Sequence, residues 1–210
     1  MPFTQEQENY IRRRFLQVEK IELNDEIWNT FVANLNEQVL AVENCIDEEI
    51  NLWINNNQSV RLIILGEAPL SFNKFFYNNQ GNFLNGLKDF YNTTNPNLKD
   101  VLRQNGIFVL DTYKFPIKTG YYDLVAGAVL FDEIYLNNKF QELRNLGLVN
   151  DNTKIVFRYR KLFLRNHILQ NTNIHNNYLT NALEPVSLYN GGEYGYVTLS
   201  PEVINFLQNN

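Results

Sequence analysis

The segment LIILGEAPLSFNKFFY, residues 62–77, combines an apolar run with a glycine, a carboxylate and several aromatic residues. Its apolar run stops at Gly66, and a carboxylate, Glu67, follows directly. A short, partly β-branched apolar run that ends at a glycine is typical of a buried strand in a parallel sheet, here predicted at 60–65. Because ligand sites in such sheets form just beyond the carboxyl ends of strands, the stretch predicts a carboxylate at a candidate site.

Three further segments have the composition of strands, and predicted helices lie between them. The second strand is predicted at 107–110, where Asp111 follows it, and the others at 153–163 and 193–200. Helices are predicted at 81–91, 95–106 and 121–147, short helices or turns within 165–183, and a last helix from Pro201. This alternation predicts an α/β fold: a three-layer sandwich with a central parallel sheet of about four strands, the first two side by side.

The first 57 residues are predicted to form a helical N-terminal extension of a single domain that covers residues 1–210. Thr4 and Gln7 match a capping box that opens a helix running to about Lys20. Asn24 is placed to cap a second helix, whose apolar residues recur at helical spacing up to Ile50.

Composition excludes several classes of protein. The 210-residue chain is 44% hydrophobic, has a formal net charge of -5 and contains one cysteine, Cys45. A single cysteine rules out a disulfide framework, a thiolate zinc site and a cysteine-held iron–sulfur cluster, and His167 and His175 lack metal-ligand spacing. With no apolar core near the N-terminus and no long apolar run, we expect a soluble cytoplasmic protein with no signal peptide, no metal, no cofactor and no membrane partner.

Two carboxylates at predicted strand ends are the candidate chemical groups. Glu67 could orient a water molecule or stabilise developing positive charge, and the alternative is a glutamate that only hydrogen-bonds loop amides. Asp111 could recognise a polar ligand edge, and the alternative is an Asx turn or a helix cap.

Aromatic and basic side chains suggest two kinds of ligand contact. An aromatic cluster after the first motif could form a stacking platform for a flat ligand, or else pack in the core under a loop; its members are Phe72, Phe75, Phe76 and Tyr77. Arg158 and Arg160 alternate along the third predicted strand and could contact phosphates, or else form a solvated sheet edge with local ion pairs.

Residues 60–118 resemble the uracil-DNA glycosylase superfamily. The segment Gly66-Glu67-Ala68-Pro69 is similar to the G-E-A-P-G motif of one subgroup, although Leu70 takes the place of the second glycine. The segments FFYNNQGNFLNGLKDFY (75–91) and FVLDTYKFPIK (108–118) are similar to the stretches that follow in that family, with Asp111 at the base-recognising position and Lys114 at a lysine.

The resemblance implies an enzyme of DNA repair that hydrolyses N-glycosidic bonds. The target base is flipped out of the duplex, stacks on an aromatic ring and is recognised by the residue at the second strand end, here Asp111. A carboxylate like Glu67 positions water and stabilises a cationic sugar. By the same resemblance, Lys114 and Ser200 join the two arginines as phosphate or DNA contacts.

The chain departs from the family at two places. The His-Pro-Ser-type loop corresponds to TLSPEV, residues 198–203, which has Ser200 and Pro201 but no histidine. Asp111 stands where the subgroup usually has an amide, and an ionised carboxylate only accepts hydrogen bonds, which favours an amino-bearing base over uracil.

Three hypotheses about function therefore stand side by side. The first is a divergent glycosylase that excises a deaminated base from DNA. The second is a catalytically inactive protein on the same fold that binds a nucleobase or nucleic acid. The third is a small-molecule hydrolase or transferase with Glu67 as its base, although the chain has no G-x-S-x-G, P-loop or G-x-G-x-x-G motif.

Overall fold

The structure is a computed structural model that describes residues 4–66, 76–77, 84–111, 134–158, 177–181, 184–190 and 198–209. Its helices are α1 (Gln5–Arg14), α2 (Asp25–Asn55), α3 (Asn85–Phe90), α4 (Asn95–Gln104), α5 (Ile134–Asn145) and α6 (Pro201–Asn209), with a π-helical segment at Phe15–Glu19. Its strands are β1 (Leu62–Gly66), β2 (Ile107–Asp111), β3 (Lys154–Phe157), β4 (Thr180–Asn181) and β5 (Glu184–Pro185).

A parallel sheet in the order β2-β1-β3 forms the centre of the described part of the chain. Leu62 pairs with Ile107 and Gly66 with Asp111, while Leu65 pairs with Phe157 on the other side. The α/β class and the adjacent, parallel placement of the first two strands are therefore confirmed. Residues 191–197 and 159–163, which carry parts of the two later predicted strands, lie outside the described residues.

The central strand is covered on both faces. All four side chains from Leu62 to Leu65 are 0% exposed, although successive side chains of a strand point to opposite faces. On one face, the indole of Trp53 near the end of α2 packs edge-on against Phe108, with ring centroids 6.0 Å apart. Burial on both faces explains why β1 is apolar throughout rather than alternating.

The N-terminal helices follow their predicted caps. The Thr4 hydroxyl accepts from the Gln7 amide while the Gln7 side chain accepts from the Thr4 amide, and Asn24 caps α2 by accepting from the Ile27 amide. The first half of α2 packs with α1 in a small separate cluster of Ile11, Phe15, Leu23 and Trp28. Its second half joins the main core through Val42, Ile46, Ile50 and Trp53.

The prediction of short helices or turns is wrong for residues 178–181. Tyr178 instead forms a parallel bridge with Ile155, and β4 pairs antiparallel with β5. The buried amide of Asn177 donates to the carbonyl oxygen of Thr153 at 2.8 Å, which fixes this segment beside β3. A long-range contact thus outweighs the local turn preference of the asparagines.

Among the described residues, no helix is both long and apolar enough to cross a membrane.

A tyrosine side chain covers the edge of β2 that faces away from β1. The Val109 amide donates to the hydroxyl oxygen of Tyr77 at 2.8 Å, and the Tyr77 ring lies 5.8 Å from that of Phe108. In a parallel ladder alternate amides face alternate sides, so the Val109 amide points away from β1 while those of Phe108 and Leu110 face it. Tyr77 therefore satisfies a buried donor that the sheet leaves unpaired.

We expect Tyr77→Phe to lower the free energy of unfolding by about 1–3 kcal/mol, because it leaves the Val109 amide buried without an acceptor. Amide hydrogen exchange followed by NMR gives the measurement and its internal control. The Val109 amide should lose more protection than the amides of Phe108 and Leu110. Equal loss at all three amides would contradict the edge-closing role of Tyr77.

Candidate functional site

The paired ends of β1 and β2 bring a carboxylate over a glycine. Gly66 and Asp111 are register partners, and a Cβ added to Gly66 would lie 2.0 Å from Oδ1 of Asp111 and 3.2 Å from its Cγ. No side chain fits at position 66 while Asp111 keeps this orientation. Any larger residue at position 66 would therefore force the Asp111 carboxylate to move, and Glu67 is the next residue in the chain.

Two tyrosine hydroxyls lie within electrostatic reach of Asp111. Burial raises the pKa of Tyr77 well above its ordinary value, and the charges of Glu49 and Asp111 add to the effect. Burial likewise raises the pKa of Tyr135, with further contributions from Glu43 and Asp111. Both phenols are therefore neutral at physiological pH and add no charge.

Tyr135 lies beside an ionic cluster in which a buried lysine of α5 contacts more exposed carboxylates of α2 and α5. The Tyr135 hydroxyl donates to Oε1 of Glu43 at 2.9 Å, and Lys139, one turn further along α5, is 6% exposed. The Lys139 ammonium lies 2.8 Å from Glu142, 3.4 Å from Glu43 and 3.6 Å from Asp47. Burial lowers the pKa of Lys139, but the hydrogen bond to Glu142 and the nearby carboxylates raise it by more, so that it lies above its ordinary value.

This cluster was not predicted from the sequence. Tyr135 and Lys139 lie one helical turn apart, as do Lys139 and Glu142 at i and i+3, which is a visible local signal. The contact with Glu43 joins positions 92 residues apart, and a single sequence gives no indication of it.

Arg158 continues the sheet at the same edge. Its amide donates to the carbonyl oxygen of Leu65 at 2.8 Å, so the residue follows β3 at the level where β1 ends. The side chain is half-buried. The structure thus brings Asp111 and Arg158 to the same carboxyl edge, on opposite sides of β1.

Ser200 lies further along this edge. The Leu188 amide donates to the carbonyl oxygen of Phe157 at 2.6 Å, and the Ser200 amide donates to that of Leu188 at 2.9 Å. The chain at 188 and at 200 therefore extends the row of backbone contacts beyond β3. With about 4.8 Å between neighbouring strands, the row from Asp111 to Ser200 is roughly 19 Å long.

Ser200 precedes α6, and its side chain is 5% exposed. Among the described residues, its hydroxyl has no hydrogen-bond partner. Because the Ser200 amide donates to the carbonyl oxygen of Leu188, the N-terminus of α6 lies at the same edge of the sheet as Asp111.

The aromatic residues divide into two groups. Phe76 and Tyr77 are buried core residues, 6% and 8% exposed, and their rings contact each other edge-on. The structure thus places both in the core, the alternative that the sequence left open for each aromatic. Phe72 and Phe75 lie outside the described residues, and their stacking role stays a prediction.

Three further predicted residues, Glu67, Lys114 and Arg160, also lie outside the described residues. Their roles as catalytic carboxylate and as phosphate contacts stay predictions. In the part of the chain that the structure describes, no group of three or more histidine, cysteine, aspartate or glutamate side chains is arranged to hold a metal ion.

Comparison with protein-family models, curated proteins and solved structures finds no match for the chain. The resemblance to the uracil-DNA glycosylase superfamily therefore stays a prediction from the motifs of residues 60–118.

We expect Gly66→Ala to lower the free energy of unfolding by about 1–3 kcal/mol, because the new methyl group collides with the Asp111 carboxylate. In an Asp111→Ala background the same change should cost much less, since the colliding atoms are gone. Urea unfolding of the two single variants and the double variant measures the coupling.

Gly147→Ala is the matched control. Gly147 has a φ of +72°, and a Cβ added there would meet no described atom within 4 Å, so alanine costs about 1–2 kcal/mol through the backbone alone. That cost should be the same with and without Asp111. Equal costs of Gly66→Ala in both backgrounds would contradict the packing of Asp111 on Gly66.

Proposed function

We propose that the chain is a divergent member of the uracil-DNA glycosylase superfamily, a DNA-repair hydrolase that binds a flipped base at the carboxyl edge of its sheet. One observation carries the proposal: Gly66, which opens the G-E-A-P segment, and Asp111, at the base-recognising position, are register partners. Residues 66 and 111 belong to motifs that lie 45 residues apart in sequence, and they are therefore neighbours at the carboxyl edge of the sheet. The proposal also includes the predicted architecture of a single domain with about four parallel strands in a three-layer sandwich.

Glu67 supplies the chemistry in this proposal. It takes a proton from a water molecule, whose oxygen forms a bond to the anomeric carbon of the sugar as the bond from that carbon to the base nitrogen breaks. Its negative charge stabilises the cationic sugar that develops, and the base leaves with the bonding electron pair and is then protonated. Asp111 holds the edge of the base, and Phe72 or Phe75 stacks on its face.

Phosphate contacts come from the basic residues along the same edge. Arg158 follows β3 at the level where β1 ends, and the uncharged Ser200 directly precedes α6 further along. Lys114 and Arg160 complete the proposed set. A local basic group is needed because the chain as a whole carries a net charge of -5, which repels DNA.

A second candidate is a nucleobase-binding protein without catalysis. The observation that favours it is the sequence of the last loop, since no histidine follows His175 and the segment before α6 is Thr198-Leu199-Ser200. An enzyme without a preorganised donor for the departing base is expected to be slower by about 10²–10³-fold.

The test is a base-release assay on oligonucleotides that carry uracil, hypoxanthine or xanthine, in single and double strands. We expect slow formation of abasic sites, and we expect Glu67→Gln to abolish most of it because the amide cannot accept the proton or balance the cationic sugar. If excess protein releases no base after long incubation, the hydrolase proposal is wrong. Salt-sensitive binding in the same samples would then support the binding protein, and absence of binding would support the small-molecule hydrolase.

DNA affinity provides a separate prediction. Arg158→Ala should weaken binding and reduce the slope of log K against log salt concentration by about one, because one phosphate contact is lost. Arg144→Ala is the matched control, since Arg144 pairs with Asp151 at 3.1 Å near the end of α5. If the two variants change the salt dependence equally, Arg158 does not contact DNA.

A further inference from the structure

We infer that Arg61 is the centre of a second binding site, which takes the dianionic phosphate group of a phosphate monoester. The site lies at the amino edge of the sheet, where the strands begin, because Arg61 directly precedes β1. Asp111 ends β2 at the opposite edge. The inference therefore goes beyond the proposed function, since it concerns a different surface and a different ligand.

The guanidinium group of Arg61 is held in place by three contacts. Its Nε donates to the carbonyl oxygen of Asn105 at 2.7 Å, and its Cζ lies 5.8 Å from the centroid of the Phe206 ring. Its aliphatic stem lies over Gly106, where φ is +70° and an added Cβ would be 2.6 Å from Cγ of Arg61. A cation whose conformation is already restricted loses less entropy when it binds an anion.

Arg61 lacks the carboxylate partner that comparable arginines have. The Arg103 side chain, 12% exposed, lies 2.8 Å from Glu49, and that of Arg12, 23% exposed, lies 2.6 Å from Glu8. Arg61 is also half-buried, yet within the described ranges it forms no ion pair, and its buried Nη1 atom has no hydrogen-bond partner. A half-buried charge is costly without a counter-charge, and we attribute the missing one to a ligand.

A second uncompensated cation lies at the same edge. Lys154 begins β3, and its amide donates to the carbonyl oxygen of Arg61 at 2.8 Å. Its side chain is half-buried and likewise forms no ion pair with any residue that the structure describes. The amino edge thus keeps two positive charges in a chain whose formal net charge is -5.

The hydroxyl of Tyr91 adds a neutral polar group beside Arg61. The positive charge of Arg61 lowers the pKa of Tyr91, although burial raises that pKa by more, so the phenol stays protonated at physiological pH. The hydroxyl is buried and makes no hydrogen bond of normal geometry with the described part of the chain. Tyr91 therefore leaves the positive charge of the site unchanged.

Charge and shape together favour a phosphate monoester among the common oxyanions. The planar guanidinium group donates two parallel hydrogen bonds to two oxygen atoms of a phosphate or a carboxylate. A phosphate monoester carries a charge of about −1.5 to −2 at pH 7, which matches two uncompensated cations. A carboxylate, or a phosphodiester of a nucleic-acid backbone, carries a single negative charge and would leave one cation uncompensated.

Titration of the full chain with inorganic phosphate, followed by NMR, tests the inference. We expect saturable shifts of the Arg61 Nε–H signal and of the Gly106 amide at about pH 8, where the phosphate dianion dominates. Acetate and dimethyl phosphate, at the same ionic strength, should bind at least about 10-fold more weakly, because each carries one negative charge. Equal affinity for the three anions, or no saturable shift with phosphate, would overturn the inference.

Two variants of Arg61 separate a built site from general attraction between charges. Arg61→Lys keeps the charge but loses the planar pair of donors, so phosphate should bind about 10-fold more weakly, as judged from the Gly106 amide. Arg61→Gln removes the charge as well and should abolish saturable binding. If Arg61→Lys binds phosphate as tightly as the unaltered chain, the site is not built around the guanidinium group and the inference is wrong.

Arg144→Gln is the matched control for these variants. Arg144 lies near the end of α5 and pairs with Asp151 at 3.1 Å, so its charge is already compensated. Phosphate affinity should therefore stay the same in this variant, and a loss equal to that of Arg61→Gln would contradict the inference. If a variant of Arg61 does not fold, the anion series on the unaltered chain still decides.

A last comparison identifies the source of the phosphate group. Ribose 5-phosphate represents a free phosphorylated molecule, and an oligothymidylate with a 5′-phosphate represents the end of a nucleic acid. Tighter binding of either one names the source, and both results support a monoester site. Equal shifts of the Arg61 signal by the oligothymidylate with and without its 5′-phosphate would contradict the inference, because phosphodiesters would then suffice. None of these measurements requires base release, so the inference and the proposed function stand or fall separately.

Discussion

The close approach of Asp111 to Gly66 is the constraint on which the candidate site depends. It exists because β1 and β2 pair in parallel from Leu62 with Ile107 to Gly66 with Asp111, so that both strands end together. A shift of one residue in the pairing of β2 with β1 would turn Asp111 to the other face of the sheet and place a different pair of residues at the edge. The full burial of β1 on both faces makes such a shift costly, since every side chain from 62 to 65 is already packed.

The same register organises the rest of the carboxyl edge. Backbone hydrogen bonds join Arg158 to Leu65, Leu188 to Phe157, and Ser200 to Leu188. The basic residue after β3 and the start of α6 therefore lie along the same edge of the sheet as Asp111. Behind this edge, Tyr77 closes β2, and Tyr135 is anchored to Glu43 of α2. A rigid sheet that ends in a carboxylate, with an arginine two strands away, is suited to recognising a polar ligand edge rather than an apolar one.

The sequence predicted those features whose causes are local. The apolar run ending at Gly66, the capping box at Thr4 and the cap at Asn24 specify their elements through neighbouring residues. Features that depend on distant contacts could not be predicted in this way. Asn177 fixes its segment against Thr153, Tyr77 reaches Val109 across 32 positions, and Tyr135 reaches Glu43, so their positions follow from the tertiary fold. In the candidate site, Asp111 followed from its place after a strand, whereas its tyrosine neighbours did not.

The ligand site at the carboxyl edge of the sheet is tested by mapping backbone-amide chemical shifts during titration with a single-stranded oligonucleotide that carries one deaminated base. We expect the largest shifts at the amides of Gly66, Asp111 and Arg158. The amides of Arg61 and Gly106, at the opposite ends of the first two strands, should remain unchanged. Shifts centred on the opposite ends, or spread evenly over the sheet, would contradict it.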